Sequence, residues 1–254
     1  MLGIDISSNN TRPIPWKDLK DAGVGFVIIK CTEGLTYTNP YFAQDVQDAQ
    51  KEGMQVAAYH FLHPDLDGAA QARFAQDVVR GVDSKMAIWP DVEIMSSNGF
   101  SGISLCVTNF FEVVGGGPKR MYSNPYYYSN LKSIGCGVDW LWLANPSPAL
   151  MDTWSEIVMT QDLGPSSISG YPVDVDRCVR NMPGMFNAGA SEVTTKGEIE
   201  MFIAIESGGV RQYMIWSDGT KTYIPDTNDL NALNAKLGPS VSLTVDFLNT
   251  ITNR

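Results

Sequence analysis

The chain has 254 residues, 44% of them hydrophobic, with 23 glycines and 14 prolines, which suits a barrel-sized core with a small appendage. A formal net charge of −10, with no basic cluster longer than Lys119-Arg120, argues against a nucleic-acid partner. No apolar run approaches the roughly 18 residues that a membrane span needs, so no membrane partner is expected.

Short apolar runs alternate with helical patterns along the first part of the chain. Leu2 to Ser7 reads as a strand, and Trp16 to Ala22 as a short helix that begins after Pro15 and stops at Gly23. Gly25 to Thr32 (GFVIIKCT) is a β-branched run of the kind buried on both faces. A helix over Pro40 to Glu52, a strand over Gln55 to Leu62 and an alanine-rich helix over Leu66 to Val82 follow. Lys85 to Glu93 is the fourth strand, Ile103 to Val114 a helix, and Arg120 to Ser123 the fifth strand. Trp140 to Ala144, Ile157 to Gln161 and Val173 to Val175 complete eight strands, with helices thinning out late. This rhythm predicts an α/β protein of the incomplete (β/α) barrel type.

The fourth strand, KMAIWPDVE, ends in Asp91 and Glu93. Side chains two apart on a strand share a face, which directs both acids into one cavity. Barrels of this kind place their active residues at C-terminal strand ends. The residues at those ends are Asp5, Glu33, His60, Asp91, Glu93, Tyr122, Trp142, Asn145, Gln161 and Asp174. Acids walled by Trp and Tyr suit a carbohydrate, whose C–H faces stack on rings while its hydroxyls bond carboxylates. The same rings also suit a barrel core. His60 and His63 form H-x-x-H but are the only histidines, and no metal or cofactor is expected. Asp174-Val175-Asp176 lacks the glycine and distal glutamate of a calcium loop. Cys31, Cys106, Cys136 and Cys178 are widely spaced and read as buried thiols.

Seven words between about residues 2 and 180 resemble the lysozymes of glycoside hydrolase family 25, the Chalaropsis-type muramidases. They are GIDIS around Asp5, FVIIKCTEGLTYTNPYF (26–42), AAYHFLHP (57–64), WPDVE, YSNPYYYSN (122–130), LWLANP (141–146) and VDVD (173–176). The resemblance implies an irregular (β/α)5(β)3 barrel over residues 1–187, and hydrolysis of the β-1,4 bond from N-acetylmuramic acid to N-acetylglucosamine in peptidoglycan. It implies Glu93 as general acid, kept protonated in the drier spot, with Asp5, Asp91 and Asp174 as the acidic ring around it. Glu33, Tyr59, His60, Tyr122, Trp142, Asn145 and Gln161 are then the substrate-binding group. Asp91 suits assistance by the sugar's 2-acetamido group, and attack by an activated water stays open beside it. Trp89 and Pro90 depart from the smaller residues common in the family, and the proline is expected to break pairing at the strand end. Asp162 replaces an aromatic.

Residues 184 to 194 have linker composition. Beyond them, strands over Glu198 to Glu206, Gln212 to Trp216 and Lys221 to Ile224 form a predicted meander, followed by helices over Asn228 to Leu237 and from Ser242 to Ile251. This small α+β module, 195–254, carries five basic and seven acidic side chains and reads as a wall-binding or self-association element. With no export signal at Met1, the expectation is a phage endolysin held in the host cytoplasm until release, or a mature secreted enzyme. The rival readings are a wall-binding or virion protein without activity and a chitinase-like D-x-E glycosidase.

Overall fold

The computed structural model describes residues 1–186 apart from 116, 163–165 and 183, and beyond them the strands at 201–206, 212–216, 220–223, 241–243 and 252–253. The chain divides into two compact units, Met1–Glu192 and Val193–Arg254.

In the first unit the elements run β1 (Leu2–Ile6), α1 (Trp16–Asp21), β2 (Val24–Glu33), β3 (Tyr37–Thr38), α2 (Phe42–Lys51), β4 (Gln55–Phe61), α3 (Gly68–Arg80), β5 (Ile88–Val92), α4 (Gly99–Val114) and β6 (Arg120–Ser123). They continue with α5 (Pro125–Ser133), β7 (Trp140–Ala144), α6 (Pro148–Thr153), β8 (Ile157–Gln161), β9 (Ser167–Ile168), β10 (Tyr171–Pro172) and β11 (Asp174–Cys178). Strands β1, β2, β4, β5, β6, β7 and β8 pair in parallel, and β11 closes the barrel between β8 and β1. Five β/α units are therefore followed by β7 with the short α6, then β8 and β11, which is the expected irregular barrel.

Side-chain alternation sorts the core into two layers. Phe26, Ile28, Ala57, Trp89, Trp142 and Met159 fill the barrel, while Ile29, Val46, Ala72, Ile103, Phe110 and Leu131 pack between barrel and helices. Met185 and Phe186 close the N-terminal end: Trp89 Nε1 donates to Met185 O at 3.1 Å, and Ala87 N donates to Phe186 O at 3.0 Å. Trp89 is fully buried in this plug, so it shapes the barrel floor and not the cleft.

Three expectations are revised. Pro90 does not break the strand. Ala58 N donates to Ala87 O and Leu62 N to Asp91 O, so by the two-residue repeat of a parallel ladder the odd residues of β5 serve β4. The Pro90 nitrogen then faces β6, where the ladder covers only Asp91↔Tyr122 and Val92↔Ser123, so the proline shortens that pairing and leaves the β4 side intact. Secondly, β11 runs antiparallel to both neighbours, so Asp174 reaches the mouth as the first residue of its strand and not the last. Thirdly, two helices were not predicted. Asn124 caps α5 by accepting from Tyr127 N, and Ser147 caps α6 by accepting from Leu150 N, each followed by proline at the first helical position. The tyrosine run 126–128, rich in strand formers, masked the first signal.

In the second unit β12 (Met201–Glu206), β13 (Gln212–Trp216) and β14 (Thr220–Tyr223) form the expected antiparallel meander. Ser242 lies in a strand, β15 (Val241–Leu243), paired in parallel with β12, where a helix cap was expected. The last strand, β16 (Thr252–Asn253), pairs with β14. The helix predicted over Asn228 to Leu237 lies outside the described residues.

Helices α3 and α4 meet backbone to backbone. A Cβ added at Gly68 would lie 1.9 Å from the carbonyl oxygen of Cys106, so only glycine permits this approach. Gly68→Ala is expected to cost about 1–3 kcal/mol by forcing the helices apart. Denaturant unfolding should show a lower midpoint at constant m-value, and an unchanged midpoint would refute the contact.

Candidate active site

Asp91 and Glu93 leave β5 on the inward face, the face that carries Trp89 lower in the barrel. On the far side of the barrel, the paired strands β1 and β11 add Asp5 near the end of β1 and Asp174 at the start of β11, direct register partners. Water reaches these acids unequally. Asp5 and Asp91 are buried, Glu93 is half-buried and Asp174 is exposed.

Burial and mutual repulsion disturb every carboxyl in the cup. Asp5 is pushed up to about 7, first by desolvation and then by the charge of Asp174. Asp91 is raised well above the ordinary range by desolvation, Glu93 and Asp5, and its Oδ1 is buried without a hydrogen-bond partner. Glu93 is raised by burial, with the charge of Lys30 acting the other way. The drier of the pair is thus Asp91 and not Glu93, the reverse of the expectation, because Asp91 lies one step deeper in the barrel. Glu93 is the carboxyl that a bound molecule can reach.

A relay of side chains holds the floor of the cup. Tyr122 donates its hydroxyl to Gln161 Oε1 at 2.6 Å, and Gln161 Nε2 donates to Asp5 Oδ2 at 2.7 Å. The Tyr122 ring meets Trp142 edge-on with centroids 4.4 Å apart, and Trp142 Nε1 donates to Asp176 Oδ1 at 2.8 Å. Tyr59 is half-buried above Trp142, close enough for the charges of Asp5, Asp91 and Glu93 to raise its hydroxyl further. Asn145 takes a left-handed turn (φ 43°) after β7, and its backbone N donates to Gln161 O at 2.8 Å, which ties the β7 rim to β8.

The structure therefore gathers Asp5, Asp91, Glu93, Asp174, Tyr59, Tyr122 and Gln161 at one mouth, with Asn145 on its rim. It does not bring the other predicted residues there in the expected way. Trp142 is 2% exposed, a support beneath the acids and not a stacking surface. His60 faces the helix layer, fully buried, its ring 5.5 Å from that of Phe110. Gln71 donates from Nε2 to His63 O and accepts from His63 N, which fixes Oε1 toward His60 Nε2. His60 therefore carries its proton on Nε2 and accepts from the Thr32 hydroxyl at Nδ1, 2.7 Å away. Burial lowers it to about 4, so it stays neutral. Glu33 spends one oxygen on Lys30 (2.6 Å) and the other on His63 (3.0 Å). The two histidines of H-x-x-H thus turn to different partners.

Two residues of the site were missed. Asp176 is fully buried beside Asp5, and desolvation together with the Asp5 charge raises it well above the ordinary range. Its signal was present, since Asp174 and Asp176 repeat on β11 the two-residue spacing of Asp91 and Glu93. Lys30 was the other, a cation inside a run otherwise read as core. All four cysteines are buried and free.

The sequence profile described as Glycosyl hydrolases family 25 matches residues 4–161. The autolytic lysozyme of Clostridium acetobutylicum is 34% identical over 112 residues, 43% of this chain and 33% of that protein, so the chain spans about a third of this relative's length. The N,O-diacetylmuramidase of Chalaropsis sp. is 32% identical over 144 residues, 50% of this chain and 68% of that protein. Among solved structures, the family 25 glycosyl hydrolase from Bacillus anthracis superposes with a TM-score of 0.61 at 22% identity, covering 71% of this chain and 89% of that one. With its profile matched over more than half its length and its eight-stranded barrel closed as the fold requires, the chain belongs to glycosyl hydrolases family 25.

Proposed function

We propose that this chain is an N-acetylmuramidase that hydrolyses the β-1,4 bond from N-acetylmuramic acid to N-acetylglucosamine in bacterial peptidoglycan, in the manner of a wall-lysing endolysin. The observation that carries the reading is the pairing of Asp91 and Glu93 on one inward face, one buried with an orphaned oxygen and one accessible. Family membership supports it, as do the names of the lysozyme and muramidase relatives.

Glu93 is the proton donor in this reading. It is the carboxyl that reaches the glycosidic oxygen, burial already favours its neutral form, and a bound glycan would dry it further. Asp91 lies deeper and takes the complementary task. Its unpartnered Oδ1 is a buried acceptor suited to the N–H of a 2-acetamido group, which it would orient toward the anomeric carbon as the leaving group departs. Asp5 and Asp176 share protons beneath, and Asp174 at the opening meets solvent and substrate hydroxyls. Gln161 and Tyr122 hold Asp5 in place, while Tyr59 and Asn145 border the bound sugar. For the module 195–254 we propose wall binding, with self-association as the second use. Removing it and measuring sedimentation with isolated walls tests this, since unchanged binding would count against it.

Glu93→Gln keeps the shape of the site and removes the proton. Wall clearing and release of muramic acid reducing ends should fall by about 10²- to 10⁴-fold with the unfolding midpoint retained. Equal clearing by variant and wild type would reassign the acid, and digestion of chitin oligomers without wall release would favour the chitinase reading.

The cup should also leave a mark on stability. Asp5 titrates near 7 in the folded chain against 3.8 in the unfolded one, so the folded state binds the proton more tightly. Its stabilising contribution is complete below about 3.8 and is lost as pH rises through about 7. Asp5→Asn should therefore melt above the wild type at pH 8, with the gap narrowing toward pH 4. A gap independent of pH would refute the shifted carboxyl.

A further inference from the structure

Lys30 has no part in the mechanism above, yet it is built into the barrel with care. It follows Phe26 and Ile28 on the inward series of β2, and its side chain is only 13% exposed. The ammonium is held from three sides. Nζ donates to Glu33 Oε2 at 2.6 Å and lies 4.8 Å from the Phe61 ring centre and 5.5 Å from that of Tyr37. Glu33 is anchored in turn, its Oε1 bound to His63 Nε2 at 3.0 Å. Strand register puts the root of Lys30 level with Tyr59 and Trp89, one inward step below Asp91, and its ammonium reaches Glu33 and Phe61, the row that pairs with Asp91.

A lysine loses about 2 kcal/mol of rotamer freedom when fixed, and partial burial adds desolvation to that cost. Aromatic faces and a doubly bound carboxylate offset it, with the result that the charge has one position and not many. The groups facing it are Glu33 on its own strand, Tyr37 on β3, Tyr59 and His63 on and after β4, Asp91 and Glu93 on β5, and neutral His60 behind β4. Asp5 on β1 bears on the same pair. Among the described residues, Lys30 is the cation whose charge offsets both Asp91 and Glu93.

We propose that Lys30 is a positioning residue for the reaction: clamped by Glu33, Phe61 and Tyr37, it fixes a positive charge beside Asp91 and Glu93 that favours a carboxylate in that pair over two neutral carboxyls. Without a cation, burial and mutual repulsion drive both carboxyls toward the neutral form, and a neutral Asp91 cannot steady a positive intermediate. The reading above needs the charge on Asp91, the deeper carboxyl, and Lys30 opposes the desolvation that disfavours it there. The proposal rests on the reading of these two acids as the reacting pair.

The test compares Lys30→Met, Lys30→Gln and Lys30→Arg with the wild type by two readouts. In the protein alone, carbon-detected titration of the Asp91 and Glu93 carboxyls should move to higher pH in the methionine and glutamine variants and stay near wild type in the arginine one. On isolated walls, kcat near neutral pH should fall about tenfold in the uncharged variants, with KM little changed and both limbs of the pH profile displaced upward, while arginine restores the profile. Lys30→Gln keeps a hydrogen bond to Glu33 and loses only the charge, so it decides the matter if methionine is not tolerated. Carboxyl titrations and profile limbs that stay in place in the uncharged variants would overturn the proposal. A wild type that releases no muramic acid ends would instead overturn the enzymatic reading, and the titration would still decide the effect of Lys30.

Discussion

Carboxylates crowded into a poorly solvated place repel one another, and this barrel gathers Asp5, Asp91, Glu93, Asp174 and Asp176 at one end. Much of the surrounding structure answers that repulsion. Burial favours the neutral forms of Asp5 and Asp176, Gln161 and Trp142 donate to those two, and Lys30 supplies the opposite sign beside Asp91. Each device is anchored in the rigid ladder or the aromatic floor and not in a mobile loop. The cup is consequently preorganised, with its donors in place before any ligand arrives.

The same arrangement opposes stability. A barrel filled at this level by leucine and isoleucine would fold more tightly than one holding partly neutralised acids. The lower barrel compensates with Phe26, Trp89, Trp142 and Phe186, and the outer layer with the aliphatic seam between strands and helices. His60 belongs to that seam. Its two nitrogens are consumed by Thr32 and Gln71, and Gln71 also binds both backbone groups of His63. A polar knot of this kind satisfies every member and joins β2, β4 and α3 without any role in chemistry.

The barrel was legible in the sequence because its strands are continuous apolar runs separated by glycine-stopped helices, and period and punctuation agree. The acid pair was legible because alternation on a strand is strict. Orientation was less so. Tyr59 and His60 are neighbours on β4 and take opposite faces, so only one of them reaches the mouth, and the irregularity in β2 that brings Thr32 opposite His60 has no sequence signature. The relative dryness of Asp91 and Glu93 was likewise hidden, since depth in a barrel depends on tilt and on what plugs the far end. The direction of β11 could not be read either, because the alternation of a strand looks the same forwards and backwards.

That reversed strand has an effect of its own. Because β11 starts at the mouth, where β8 ends, the connection has no need to cross the barrel, and within it β9 and β10 pair as a hairpin. Tyr171 ties this hairpin to the loop after β1 by donating its hydroxyl to Thr11 O at 2.6 Å. A connection anchored at both ends on one rim can grow or shrink without shifting a single ladder bond. The rim beside Asp5 and Asp174 is thus free to change independently of the machinery beneath it, which gives variation in the shape of the opening a place to accumulate at little cost to the fold.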